Sequence, residues 1–257
     1  MREEHEKVIA ELKRLREELT KVKDEKEALK LAKTYTRETE KLTAQEYFNR
    51  AYDAAENEDY EQAIADWTKA IEIDPNYTLT YYNRGIAKRR LGDISGAITD
   101  YNKVIEINPN DAGAYYNRGN AKYNFGDISG AIADYTKAID INPNYVSAYY
   151  NRGIAKRRLG DISGAIADYN KVIEIDPNDV DAYYNRGIAK YDLGNYSGAI
   201  DDYTKVIEIN PNYASAYFNR GVAKYLSSDE AGGCKDWHKA GELGHSNALV
   251  MIKKYCQ

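Results

Sequence analysis

The chain has 257 residues, with 36 Lys and Arg against 41 Asp and Glu and a net charge of −5. That balance argues against nucleic acid or an anionic membrane as the main partner. No apolar run is long enough to span a bilayer and Met1 opens no signal-peptide pattern, so the expected compartment is the cytoplasm.

Residues 1–43 contain no proline or glycine and are dominated by Glu, Lys, Arg and Leu, which predicts one long helix. With Leu12 at heptad position a, the a row is His5, Leu12, Leu19 and Lys26, and the d row is Val8, Leu15, Val22 and Leu29. Glu11, Glu18 and Glu25 then occupy g, and Arg16, Lys23 and Lys30 occupy e. A parallel pair of strands joins opposite charges at every g to e′ contact, whereas an antiparallel pair sets Glu on Glu. Burying a seam Leu or Val contributes about 1.5–3 kcal/mol against about 0.3–0.5 kcal/mol for an exposed helix ion pair, so the seam decides. The expectation is a homo-oligomer formed through residues 1–35 on Val8, Leu12, Leu15, Leu19, Val22 and Leu29. The competing reading is a solvated helix packed back on the rest of the chain.

The five prolines fall at 75, 109, 143, 177 and 211, one every 34 residues. The interval gives units 44–77, 78–111, 112–145, 146–179 and 180–213, and a sixth, degenerate unit at 214–247 in which His245 stands for proline. Counting each unit from 1, places 2–14 form a first helix, Gly-Asp at 15–16 a turn, and places 17–30 a second helix before an Asn/Asp-Pro-Asn turn. Glycine suits the left-handed residue that closes a helix, Asp93, Asp127 and Asp161 can cap the next, and proline lacks the N–H to continue it. The first unit departs, with Ala51 at place 8 and Glu58 at place 15. On a helical wheel, places 4, 8 and 11 of the first helix face the second helix, and places 2, 6, 9 and 13 lie opposite. Small residues at places 3 and 10, such as Ala114, Ala121, Ala148 and Ala155, predict close approach of the next first helix. After the last unit, 248–257 reads as a capping helix that covers the final apolar face.

Tyr81 at place 4, Gly85 at 8, Gly92 at 15, Ala97 at 20, Tyr101 at 24, Val104 at 27 and Pro109 at 32 carry a pattern that the other units match with small changes. It resembles the tetratricopeptide repeat (TPR) family over about four-fifths of the chain. The resemblance implies an all-α, right-handed superhelix of antiparallel helix pairs whose concave groove, lined by the row at places 2, 6, 9 and 13, binds other proteins without catalysis. The family's carboxylate clamp for chaperone C-termini is missing: place 5 is Phe48, Tyr82, Tyr116, Tyr150, Tyr184 and Phe218, and no Lys or Arg stands at place 2.

Place 6 is Asn in all six units: Asn49, Asn83, Asn117, Asn151, Asn185 and Asn219. An amide both donates and accepts, so such a ladder can hold the backbone of an extended peptide whatever its side chains. A longer period underlies the first, since residues 81–111 and 149–179 match at all but two of 31 positions. Arg89-Arg90 and Arg157-Arg158 occupy places 12 and 13 in the second and fourth units, where the third and fifth carry Tyr123 and Tyr191 at place 12. Arginine forks take carboxylates bidentately and tyrosine stacks with a polar tip, so the alternation points to an extended acidic ligand. Duplication of a unit pair bearing solvated arginines is the competing reading. One basic pair in every second unit is sparse for tracking phosphates, so no nucleic acid is expected.

Place 7 is Arg and place 23 is Asp in every unit, which predicts structural ion pairs between helices. Cys234 and Cys256, the only cysteines, are expected to be free thiols in the cap, with a disulfide or a zinc site shared with His238 and His245 as alternatives. No catalytic constellation, cofactor motif or metal spacing stands out among the three histidines and the repeated Gly-Asp turns.

Overall fold

The structure, a computed structural model, describes residues 10–18, 30 and 42–256, and every described element is helical. It divides into two compact units, one ending at Asp93 and one beginning at Ile94.

The first unit contains α1 (Ala44–Glu56), α2 (Tyr60–Ile73) and α3 (Thr78–Arg90). Its start is set by a capping box: Glu46 N donates to Thr43 Oγ1 at 3.3 Å while Thr43 N donates to Glu46 Oε2 at 2.8 Å. Asp59 caps α2, accepting from Gln62 N at 3.2 Å. The turn between the helices holds Glu58 at φ 60°, where the other full repeats place glycine. Trp67 is buried among Ala51, Ala54, Ala63 and Ala87. The helical stretch 10–18 lies against this unit: Leu12 is buried with Leu42, Tyr47 and Ala70, Leu15 is buried as well, and Arg16 pairs with Asp59. Two of the leucines assigned to an intermolecular seam are thus buried within the chain, while Val8, Leu19, Val22 and Leu29 lie outside the described residues.

The second unit runs α4 (Ile94–Ile107), α5 (Ala112–Phe125), α6 (Ile128–Ile141), α7 (Val146–Arg158), α8 (Ile162–Ile175), α9 (Val180–Asp192), α10 (Tyr196–Ile209), α11 (Ala214–Leu226), α12 (Glu230–Glu242) and α13 (Ala248–Tyr255). Consecutive helices pair, and the pairs stack as a solenoid. Gly126 closes α5 at φ 95°, and Asp127 then caps α6 by accepting from Gly130 N at 2.9 Å. Glycine at place 8 has a steric cause, because a Cβ on Gly119 would stand 2.7 Å from Tyr135 Cε1 and one on Gly153 2.8 Å from Tyr169 Cε1. Those tyrosines are fully buried. The small residues at place 10 behave differently from expectation: Ala155 packs with Ala131 and Tyr135, and Ala189 with Ala165 and Tyr169, so they seat on the preceding repeat's second helix.

The Arg–Asp pairs form as expected and join more partners than the pattern suggested. Arg118 Nε and Nη2 donate to the two carboxylate oxygens of Asp134 at 2.8 and 2.6 Å, and Nη1 donates to Asn102 Oδ1 of the preceding repeat at 2.7 Å. The same guanidinium lies 5.3 Å over the Tyr115 ring, and Lys122 Nζ stands 2.8 Å from Asp134. Arg152, Arg186 and Arg220 repeat the arrangement with Asp168, Asp202 and Asp236 and with Lys156, Lys190 and Lys224. Each of these four buried carboxylates therefore meets two cations, and its arginine ties one repeat to the one before. Arg50 pairs with Asp66 without a lysine, since Ala54 stands at that place. Losing one member of such a buried group costs about 3–5 kcal/mol.

The C-terminal cap corrects the expectation for the cysteines. Cys234 on α12 and Cys256 after α13 are joined in a disulfide, and no cysteine is free. An antiparallel return of α13 brings the two within reach, with Tyr255 packed 5.0 Å from the Tyr225 ring and 6.0 Å from Trp237. His245, in the place of proline, stacks on Phe218 at 4.1 Å, and burial holds its imidazole below the ordinary range.

Candidate functional site

The row at places 2, 6, 9 and 13 was expected to carry the site, and the structure defines what its residues do. The asparagines pair with the tyrosines beside them. Asn151 Nδ2 donates to the Tyr116 hydroxyl at 3.1 Å, Asn185 Nδ2 to Tyr150 at 2.8 Å, and Asn219 Nδ2 to Tyr184 at 3.0 Å. Each bond links place 6 to place 5 of the preceding repeat. Between Asn151 and Asn219 the two rows thus form one ladder, in which the amide donors of Asn151 and Asn185 are engaged and the Oδ1 atoms of Asn151, Asn185 and Asn219 have no donor among the described residues, whereas Asn83, which follows Phe48 instead of a tyrosine, makes no such bond. A peptide lying on this row is offered acceptors for its N–H groups at Asn151, Asn185 and Asn219, and both an acceptor and donors at Asn83. Asn117 Nδ2 donates to Gly113 O at 3.0 Å, and Asn49 Oδ1 accepts from Gln45 Nε2 at 2.8 Å.

The tyrosines are held by packing as well as by these bonds. Tyr116 meets Tyr145 at 5.0 Å and Tyr184 meets Tyr213 at 5.1 Å. Burial, then the carboxylates of Asp181 and Asp179, pushes the Tyr150 hydroxyl up to about 12. Place 34 shares the two-repeat period: Tyr77, Tyr145 and Tyr213 leave their helices without a side-chain cap, whereas Asp111 and Asp179 cap theirs through Ala114 N and Ala182 N. A cavity of about 210 Å³ between Tyr116, Tyr150 and Asn151 is bordered by Asp179 and Asp181.

The double arginines of the second and fourth repeats sit in different surroundings. Arg157 Nε donates to Asp192 at 2.8 Å, and Arg158 lies 5.2 Å over the Tyr123 ring; these residues and Ile154 line a cavity of about 340 Å³. Tyr191 turns to Tyr196, 5.5 Å away. Arg89 and Arg90 make no ion pair with any described residue, and Arg90 lines a separate cavity of about 220 Å³ with Tyr52, Tyr60, Trp67, Asn83 and Ile86. The position matching Asp192 in the third repeat is Asn124.

Sequence reasoning missed Asn120, whose Oδ1 accepts from both Tyr135 OH and Asn151 Nδ2 at 2.8 Å. Its signal was an amide at place 9, which is otherwise Ile, Val or Tyr. Asp181 and Asp192 were missed because single carboxylates on a polar helix face carry no pattern. Among the described residues, no group of three or more His, Cys, Asp and Glu forms a metal cluster, and no helix is long and apolar enough to cross a membrane.

Family models described as TPR repeat match residues 54–92, 87–126, 123–160 and 155–194, and one described as tetratricopeptide repeat matches 180–213. No curated protein matches the sequence. Among solved structures, the crystal structure of MamA protein is 29% identical with a TM-score of 0.62, covering 69% of this chain and 94% of that one. YrrB, described as a TPR protein with an unusual peptide-binding site, is 23% identical with a TM-score of 0.65, covering 73% and 97%. The C-terminal part of a TPR repeat-containing protein from Cytophaga hutchinsonii is 23% identical with a TM-score of 0.70, covering 80% and 81%.

Proposed function

Because the chain belongs to the tetratricopeptide repeat family, whose fold is a scaffold for protein–protein contact, we propose that it is a non-catalytic adaptor holding an extended, acidic segment of a partner along its asparagine row. The observation that carries the acidic preference is Arg89-Arg90, two adjacent cations at the groove row with no carboxylate partner among the described residues. Arg158, exposed beside Tyr123, offers a second charge, while Arg157 is already met by Asp192. Asn Oδ1 atoms take backbone N–H groups, and the arginines take side-chain carboxylates. In the same reading, residues 1–35 join copies of the chain, with Leu12 and Leu15 leaving the first repeat for the seam.

Calorimetry with extended acidic and neutral peptides tests the division of labour. Exposed charges are worth about 0–1 kcal/mol singly, so Arg89→Glu with Arg90→Glu, Arg157→Glu and Arg158→Glu is the informative variant. It is expected to abolish binding of the acidic peptide and spare the neutral one, and salt is expected to weaken the acidic complex. Salt-independent binding, or equal weakening of both peptides, would overturn the reading and leave the repeats as an assembly module.

A further inference from the structure

Place 34 alternates along the chain, and the alternation shapes the groove. Where it is tyrosine, its ring packs on place 5 of the same repeat: Tyr77 on Phe48 and Tyr145 on Tyr116 at 5.0 Å, and Tyr213 on Tyr184 at 5.1 Å. The fourth repeat has Asp179 instead. Tyr150 keeps its contact with Tyr169 at 6.0 Å but receives no ring from place 34, and the cavity of about 210 Å³ opens beside it.

The charges bordering this cavity are both negative, and no cation among the described residues lines it. Asp179 Oδ1 accepts from Ala182 N at 2.7 Å, which leaves Oδ2 for another donor. The exposed Asp181 carboxylate makes no hydrogen bond or ion pair with a described residue. Asn151, also in the lining, gives its amide donors to Tyr116 and Asn120, so its remaining polar atom is the acceptor Oδ1. Burial, then Asp181 and Asp179, pushes the Tyr150 hydroxyl up to about 12, so both carboxylates are felt across this space. Place 2 is acidic in the fifth repeat alone, and only here do place 34 and the following place 2 both carry carboxylates.

Further along α7 the charge reverses. Arg158 lies 5.2 Å over the Tyr123 ring and, with Arg157 and Ile154, lines the cavity of about 340 Å³. Tyr150 and Arg157 are two helical turns apart, about 10 Å, which an extended chain spans in about three residues.

We infer that the cavity beside Tyr150 is a subsite for an arginine side chain of the bound segment, and that the same segment places a carboxylate about three residues away, at Arg158. The guanidinium lies on the Tyr150 ring while its N–H groups donate to Asp179 and Asp181. A lysine ammonium meets the carboxylates as a point charge without the planar stacking. An acidic segment that carries one arginine is thereby set in register on the groove. This deepens the groove reading above and rests on it for the rest of the ligand.

Asparagine caps a helix as aspartate does, so Asp179→Asn with Asp181→Asn removes both charges and keeps α9. N-acetyl-argininamide is expected to shift the backbone amide signals of Asp181 and Ala182 of the full chain in nitrogen–proton correlation spectra. The neutral citrulline analogue is expected to leave them still, and the double variant to abolish the response. In blocked ten-residue peptides otherwise of glycine and serine, with arginine and glutamate three residues apart, citrulline for arginine is expected to weaken binding about tenfold, the ratio one charge-assisted hydrogen bond supports. Moving the glutamate to seven residues from the arginine is expected to weaken it too. Unmoved signals, or equal shifts from the citrulline analogue, overturn the subsite even if acidic peptides bind. Shifts from argininamide with no binding of any acidic peptide retire the groove reading and keep the subsite. Equal affinity at the two spacings overturns the register with Arg158.

Discussion

Asn185 Nδ2 donates to the Tyr150 hydroxyl at 2.8 Å, across the junction of two adjacent repeats. The bond gives one hydroxyl a structural duty and a pH signature. Burial and Asp181 push Tyr150 up to about 12, against about 10 for an exposed phenol. The folded state keeps this proton where the unfolded chain has lost it. Stability is therefore whole below pH about 10 and falls as pH rises from about 10 to about 12. Tyr150→Phe is expected to cost about 1 kcal/mol at pH 8 through the lost hydrogen bond, and to flatten the alkaline decline. Urea titrations of both proteins across that window check it, and an unchanged slope would remove Tyr150 from the account.

A paired substitution tests the value of Asn120. Tyr135 OH donates to Asn120 Oδ1 at 2.8 Å, whereas the Tyr169 hydroxyl, one repeat on, is buried without a partner among the described residues. The difference follows from place 9, which is Asn120 in one repeat and Ile154 in the next. Tyr135→Phe is expected to destabilise by about 1 kcal/mol, and Tyr169→Phe to be neutral or stabilising by a similar amount. Chemical denaturation that ranks the two the other way would show that the hydroxyl environments are misassigned.

The repeat length, the glycines at places 8 and 15 and the Arg–Asp pairing were legible because each is dictated inside one repeat and then copied. Gly119 must admit the Tyr135 ring, and Arg118 must reach Asp134 sixteen residues on. What stayed hidden joins different repeats. Asn185 with Tyr150 and Arg157 with Asp192 are each 35 residues apart, so neither partner is specified by the pattern of its own repeat. The asparagine row never varies and place 5 departs from tyrosine only as Phe48 and Phe218 at the two ends, so neither row by itself shows that Asn and Tyr are bonded to one another. The exception was more informative, since Asn120 breaks its row and changes the partner of a buried ring.

At the N-terminal end, Leu12 is 2% and Leu15 3% exposed within the chain, so these residues cannot serve the first repeat and an intermolecular seam at once. Light scattering at tens of micromolar is expected to show an oligomer for the full chain and a monomer after removal of residues 1–35. Leu12→Asp is expected to abolish the oligomer while leaving amide exchange at Tyr47 and Ala51 as in the oligomeric parent, since the seam has already drawn Leu12 off α1; faster exchange there would place Leu12 on the first repeat instead. A full chain that is monomeric would end the oligomer proposal and leave Leu12 as a clasp on the first repeat.

The C-terminal end carries the complementary constraint. Trp237 and Ala240 are fully buried, and the cover above Trp237 is α13, held by Tyr255 on the indole face and by the Cys234–Cys256 bond over a separation of 22 residues. Closing a loop of that size stabilises by about 3 kcal/mol, chiefly by restricting the unfolded chain. In a solenoid each repeat leans only on its neighbours, so the loss should appear locally, as early melting of α11–α13, before it appears in the whole. Cys256→Ser is expected to lower the stability of that end and leave the association state unchanged. Deleting residues 245–257 is expected to do both, because it also exposes the apolar side of Trp237, Ala240 and Leu243. Hydrogen exchange resolves the end from the middle, and sedimentation reads association. A deletion that exchanges and sediments like the parent would make α13 a tail, and a Cys256→Ser protein as protected as the parent would leave the cap to Tyr255 alone.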